Sequence, residues 1–344
     1  MTHPESHLTL SRIFRVCCLL LALLAGVSVL SLVAGTAPIA ITVVFKGILA
    51  NLGFPGLSDS LTAEERTILF SIRLPRIVLA GLVGAALSCA GVVFQALLRN
   101  PLADPFVLGV SGGAAVGAIV AIIVGLGAIP LGISGMAFAG GFLAMLLVWG
   151  LAGAVGGRRT DRTLLAGIVV NAFFSAFIMF LVSVASGEEL QSVIFWLMGD
   201  LAMAGRDDVL LAALFLVVGF VVMVVHARDL NILLTGEEAA LQLGVSVKRS
   251  RMLLLVSASL VTGSAVSVSG IIGFVGLMVP HMVRMLFGSD HRLLLPASLL
   301  FGAAFLMAAD TIARVVLSPA ELPVGVVTAL CGAPYFAYLM KRSA

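Results

Sequence analysis

The sequence predicts an all-α, polytopic membrane protein of about ten transmembrane helices, and three observations predict it. Soluble domains are roughly 45–50% apolar and about 25% charged; this chain is 61% hydrophobic and 11% charged, with mean hydropathy +1.19. A soluble core of 344 residues cannot hide that much apolar surface, so lipid must solvate it. The 37 glycines are the second observation, since small residues let membrane helices approach closely where no hydrophobic force drives them together. The third is the way basic residues divide between alternate loops.

A helix crosses about 30 Å of hydrocarbon in roughly 20 residues. Apolar runs bounded by charges or Pro/Gly clusters give spans at Val16–Ala34, Pro75–Leu98, Val107–Leu126, Ile133–Val155 and Leu164–Ala185. Five more follow at Val209–Ala227, Met252–Ile272, Gly276–Phe287, Leu293–Ile312 and Val324–Met340. The eighth is short, and Pro280 within it predicts a broken or kinked segment. Thr62-x-x-Glu65 has the capping-box pattern and opens a short helix in the connection 35–74. The segment Gly187–Asp208 holds Trp196, read either as an interface anchor or as part of a re-entrant helix. No soluble domain or repeat is visible, so the chain reads as one domain over residues 1–344, with a short cytoplasmic N-terminus over 1–12.

Orientation follows from the basic residues. With the N-terminus inside, Lys46, Arg66, Arg73, Arg76, Arg206 and Arg314 fall outside and the other fourteen of the 20 Lys+Arg fall inside. The 17 acidic residues lean the other way, 7 inside and 10 outside, so both termini are expected in the cytoplasm. This asymmetry accounts for a pI near 8.9 without a nucleic-acid partner. A cleaved leader is the competing reading of the first apolar run, which is too long for an ordinary h-region and reads as a retained span.

Several chemistries are missing. No Gly-x-x-x-x-Gly-Lys-Ser/Thr cradles a nucleotide phosphate, and neither His-Glu-x-x-His nor Gly-x-Ser-x-Gly occurs. The four cysteines have no metal-ligand spacing, and His281 lacks a companion ligand, so no metal site is expected. Ion-coupled transporters keep ionisable groups near the membrane midplane. Here Asp310 is the one acidic residue inside a span, near its outer end. That weakens the alternative of a secondary transporter or channel. A bundle without energy-coupling residues of its own borrows energy from a partner.

The connection 230–249 is the candidate for that partner. Thr235-x-x-Glu238 reads as a capping box and Gly244 as a helix stop, defining a two-turn cytoplasmic helix. Helices that short are unstable alone and need something to pack against.

The stretch Gly236-Glu237-Glu238-Ala239-Ala240, continuing to Leu243 and Gly244, resembles the coupling-helix motif of ABC importer permeases. Two longer stretches resemble one branch, the FecCD-type permeases for iron siderophores, haem and cobalamin. The first runs from Arg73-Leu74-Pro75-Arg76 through Asn100-Pro101-Leu102-Ala103-Asp104-Pro105 to Ser111-Gly112-Gly113. The second includes Gly273-Phe274-Val275-Gly276, Pro280-His281, Ala309-Asp310, Arg314 and Glu321-Leu322-Pro323-Val324-Gly325. The resemblance implies a type II ABC importer permease fold that pairs with a second permease copy, or a homologous permease, around a translocation path. It implies two cytoplasmic ATPase subunits that use ATP and Mg, no cofactor on this chain, and a periplasmic or lipid-anchored substrate-binding protein. By the same resemblance, Arg73, Arg76 and Arg314 match arginines that dock the binding protein. Asn100 and Leu102, with Thr160 and Asp161, match a cytoplasmic gate, although Asp161 replaces the small hydroxyl residue more usual there. A turn at Asn100-Pro101 and a helix cap at Asp161 are the reading without a gate.

Overall fold

A computed structural model describes residues 9–37, 39–51, 61–154, 159–202 and 205–343. Fifteen helices are present among them. The ten expected spans fall on α1 (Leu10–Val33), α4 (Leu74–Leu97), α5 (Val110–Ile123), α6 (Gly132–Ala154), α7 (Arg159–Val184), α9 (Arg206–Val225), α12 (Val247–Ser269), α13 (Val275–Phe287), α14 (His291–Val315) and α15 (Val324–Ser343). Seven helices among the described residues are long and apolar enough to cross a membrane; α5, α13 and the described part of α15 are shorter apolar helices.

Five further helices lie between them: α2 (Ile41–Asn51), α3 (Ala63–Arg66), α8 (Gly187–Met198), α10 (Ala227–Thr235) and α11 (Glu237–Gln242). The expected capping box at Thr62 is present, with Glu65 N–H donating to the Thr62 hydroxyl at 3.1 Å and Thr62 N–H to the Glu65 carboxylate at 2.9 Å. The helix it opens does not stop where the sequence suggested. It continues through a π-helical stretch, Thr67–Arg73, into α4, making one helix of 35 residues. Pro75 explains the wider turns, because its ring presses on the carbonyl four residues back and it has no N–H to give.

The continuous helix is the axis of the bundle and most of it is buried. Its glycines permit that. A Cβ on Gly84 would sit 2.2 Å from the Gly302 carbonyl oxygen of α14, and one on Gly91 only 1.8 Å from that of Gly276 on α13. Gly113 of α5 meets Gly140 of α6 in the same way. By contrast α1, α7 and α9 leave most of their apolar surface exposed, including Phe173, Phe180, Leu214 and Val221. Such faces belong against lipid or another membrane helix.

Two expectations resolve here. The eighth span is short as expected, but Pro280 does not break it: α13 runs unbroken from Val275 to Phe287 with Pro280 inside, and the unwound residues are 270–274 before it, which bring Gly276 against Leu87 and Gly91 of α4. Trp196 is half-buried, and its packing favours the re-entrant reading. It packs inward against Ala114, Ala118, Ala137 and Val266, so α8 turns back into the bundle.

Candidate functional site

Hydrogen bonds across the helix ends define two faces of the bundle. At one face Arg314 reaches the end of α1 and Ser134 donates to Asp208. At the other, Arg12 donates to the Phe287 carbonyl and Arg99 to that of Leu233.

The first face gathers the three arginines the sequence singled out. The last carbonyls of a helix lack intrahelical partners, and at α1 arginines supply them. Arg73 donates to the carbonyls of Leu32, Val33 and Ala37; Arg314 donates to those of Ser31 at 3.2 Å and Ala34 at 3.1 Å. A cation there also suits the helix dipole. Asp310 lies between Arg76 and Arg314, accepting 3.0 Å hydrogen bonds from the Nε of each. Arg76 also holds Glu321 at 2.6 Å through Nη1. The arginines are 3–7% exposed, whereas the Glu321 side chain is 35% exposed. The sequence pictured forks held out for a partner; in this chain their donors are turned inward, and the carboxylates are its own. Asp310 and Glu321 are the residues that reading did not connect. A lone acid inside a span needs a cation, which was the available signal.

The second face carries α11. The capping box expected at Thr235 is absent, because α10 runs through Thr235 and turns its hydroxyl back to the Ile232 carbonyl at 2.8 Å. Gly236, with φ +129°, makes the turn and serves as the N-cap, so α11 has six residues rather than two full turns. Its end is as expected. Gly244 adopts φ +80°, with Val245 N–H on the Ala240 carbonyl and Gly244 N–H on that of Leu241, a Schellman closure. Ala240 is buried, while Leu241 and Leu243 are 62% and 65% exposed. Glu237 pairs with Arg251 of α12 at 2.7 Å, and Glu238 and Ala239 line a crevice of about 1200 Å³ with Arg99, Trp149 and Lys248.

Asn100 and Leu102 stand beside this crevice in an exposed turn, where the Asn100 side chain accepts from the Leu102 N–H at 2.9 Å. The turn begins with a second Schellman closure: Arg99 N–H meets the Ala96 carbonyl and Asn100 N–H that of Gln95. Here the left-handed position is occupied by Arg99, φ +50°, where a glycine avoids a cost of roughly 1 kcal/mol. Two residues past Leu102, burial pushes the Asp104 carboxyl up to about 6, against the pull of its hydrogen bond from Phe106 N–H. Thr160 and Asp161 fall in the first turn of α7, and their side chains lie outside the described residues. Nearby, Gln95 donates to the carbonyls of Gly276 and Leu277 and accepts from Arg284 at 2.9 Å.

No group of three or more His, Cys, Asp or Glu side chains is placed to hold a metal among the described residues. His281 lies against the rings of Tyr335 and Phe336.

Comparison with known proteins gives the family of the chain. The model of the FecCD transport family matches residues 20–342. An uncharacterized ABC transporter permease protein, YvrB of Bacillus subtilis, is 43% identical over 319 residues, covering 91% of this chain and 90% of its own. The cobalamin import system permease protein BtuC of Halobacterium salinarum is 49% identical over 276 residues, 80% of this chain and 74% of the relative. The hemin transport system permease protein HmuU of Yersinia pestis is 41% identical over 302 residues, 85% and 90% respectively. Among solved structures, a metal-chelate type ABC transporter in an inward-facing conformation superposes with TM-score 0.82 at 32% identity, covering 95% of this chain and 99% of that one.

Proposed function

Because the chain belongs to the FecCD transport family, we propose that it carries an iron chelate (a siderophore complex or haem) or cobalamin into the cytoplasm as the permease of a binding-protein-dependent ABC importer. The relatives named for cobalamin and for hemin support that substrate class. Energy comes from two ATPase subunits that use ATP and Mg, and the permease pairs with a second copy or a homologous permease. The protein sits in the bacterial inner membrane with both termini cytoplasmic, which places α11 inside and the arginine cluster in the periplasm.

The observation that carries this reading is α11. A six-residue helix closed at Gly244 and holding two leucines out into solvent is a poor surface for a lone protein and a good one for a groove. Gly236, Glu237, Glu238, Ala239, Ala240, Leu243 and Gly244 form the seat on the ATPase. Asn100 and Leu102, with Thr160 and Asp161, form the gate that opens when the seat moves. The arginine face receives an acidic substrate-binding protein. Arg73, Arg76 and Arg314 are the docking residues, and at Arg76 an approaching carboxylate competes with the part-exposed Glu321.

The test is to purify the chain with the ATPase subunit that accompanies it and measure ATP hydrolysis beside substrate uptake. Gly244→Val puts a β-branched residue at φ +80°, and Glu238→Pro constrains the first turn of α11. Both variants are expected to insert normally and to lose uptake by at least about tenfold, the effect of roughly 1.4 kcal/mol. Normal transport by both at normal expression would overturn the coupling assignment.

A further inference from the structure

Two Schellman closures lie on the α11 face, and they are built from different residues. At the end of α11 the left-handed position is Gly244, the residue that adopts it without strain. At the end of α4 the same position is Arg99, φ +50°. Backbone strain of this kind persists where the side chain is needed. The Arg99 side chain has a specific destination, because its Nη2 donates to the Leu233 carbonyl, 2.8 Å away and 134 residues on. That carbonyl belongs to the last turn of α10, where a cation is favoured both as a donor and by the dipole.

The unit α10–α11 is fastened elsewhere too. Ser250 of α12 donates to Asp229 at 2.6 Å, Arg251 pairs with Glu237, and Asn231 donates to Asp290 at 2.9 Å while accepting from His291 N–H. These tie α10–α11 to long helices. Arg99 instead ties it to the turn that starts with the next residue, Asn100. From that turn the bonding continues inward: Asn100 N–H rests on the Gln95 carbonyl, and the Gln95 side chain holds Gly276, Leu277 and Arg284 of α13.

We propose that Arg99 is the positioning residue that links α10–α11 to the Asn100–Leu102 turn, so that a displacement of α11 is delivered to that turn and through Gln95 to α13. The proposal rests on the reading of α11 as the seat of the ATPase. It assigns Arg99 no contact with substrate.

The experiment uses the full chain assembled with its ATPase subunit in lipid nanodiscs, with Cys17, Cys18, Cys89 and Cys331 replaced by alanine. Leu102 is half-exposed, so a Leu102→Cys thiol reports on the turn through its rate of maleimide labelling with and without Mg-ATP. With Arg99 present, nucleotide changes the rate. With Arg99→Ala or Arg99→Gly, ATP hydrolysis persists and the nucleotide-dependent change shrinks about tenfold, the factor one charge-assisted hydrogen bond is worth. Arg99→Lys, which keeps a cationic donor, restores part of it. The glycine variant relieves the backbone, so a normal response there with a failed response in the alanine variant assigns the effect to strain and overturns the proposal. An undiminished response in both variants overturns it while leaving the coupling reading intact. A wild-type turn indifferent to nucleotide overturns both.

Discussion

Arg76, Arg314 and Asp310 show what a buried ion can and cannot offer. Removing one partner from such a cluster leaves a charge uncompensated, at a cost of about 3 kcal/mol or more. Arg73 and Arg314 are also committed to the end of α1, so their substitution tests the fold before it tests binding. Arg76 is the informative position. If an acidic binding protein meets this face, Arg76→Ala weakens its binding, Arg76→Glu weakens it further, and wild-type affinity falls as salt rises. Thermal unfolding of both variants controls for the loss to Asp310, which is larger for Arg76→Glu because a third carboxylate then stands beside Asp310 and Glu321. Equal binding by both, indifferent to ionic strength, would return Arg76 to a purely internal role. The sequence disclosed these arginines as cations on the side of the membrane that disfavours them. It did not disclose that their partners are 234 and 245 residues away from Arg76, because nothing local encodes that proximity.

Among elements, two identical patterns had different outcomes. Thr-x-x-Glu opens a helix at Thr62 but not at Thr235. The difference lies upstream: an amphipathic run, Ala227–Leu234, already carries a helix through Thr235, and the glycine after it takes the turn. The helix stop at Gly244 was legible because its backbone requirement is local. The π-helical stretch was not, since it reflects a proline further along and the burial of α4 on one side of it. Glycine content, in turn, signalled close packing without saying which helices meet. Gly91 now makes that testable: Gly91→Ala forces α4 from α13 and should lower stability by about 1–3 kcal/mol in detergent unfolding. Gly26→Ala on α1 meets nothing within 4 Å and should be neutral or slightly stabilising. Equal melting of the two variants would refute the contact.

For the whole molecule, the seven long spans were readable because hydrocarbon thickness sets helix length, whereas α5, α13 and the described part of α15 were legible as apolar helices but are shorter than that length. Orientation rests on loop charge alone. Reporter fusions after Arg159 and Arg342 are expected to give a cytoplasmic signal and one after Glu189 a periplasmic signal; a periplasmic signal at Arg342 would reverse the assignment of faces. What the single chain does not encode is its company, since the exposed flanks of α1, α7 and α9 suit lipid and protein equally. The helix Ala63–Leu97 adds a dimension to the assembly. At 1.5 Å per residue its 35 residues measure about 52 Å, against about 30 Å of hydrocarbon. The excess length is not bare: Leu69 and Arg73 are buried, Gly47 of α2 lies against Leu69 and Phe70, and Arg73 holds the end of α1. A macromolecule approaching from that side meets a collar of three packed helices, in which the turn Ala63–Arg66 is without a buried residue.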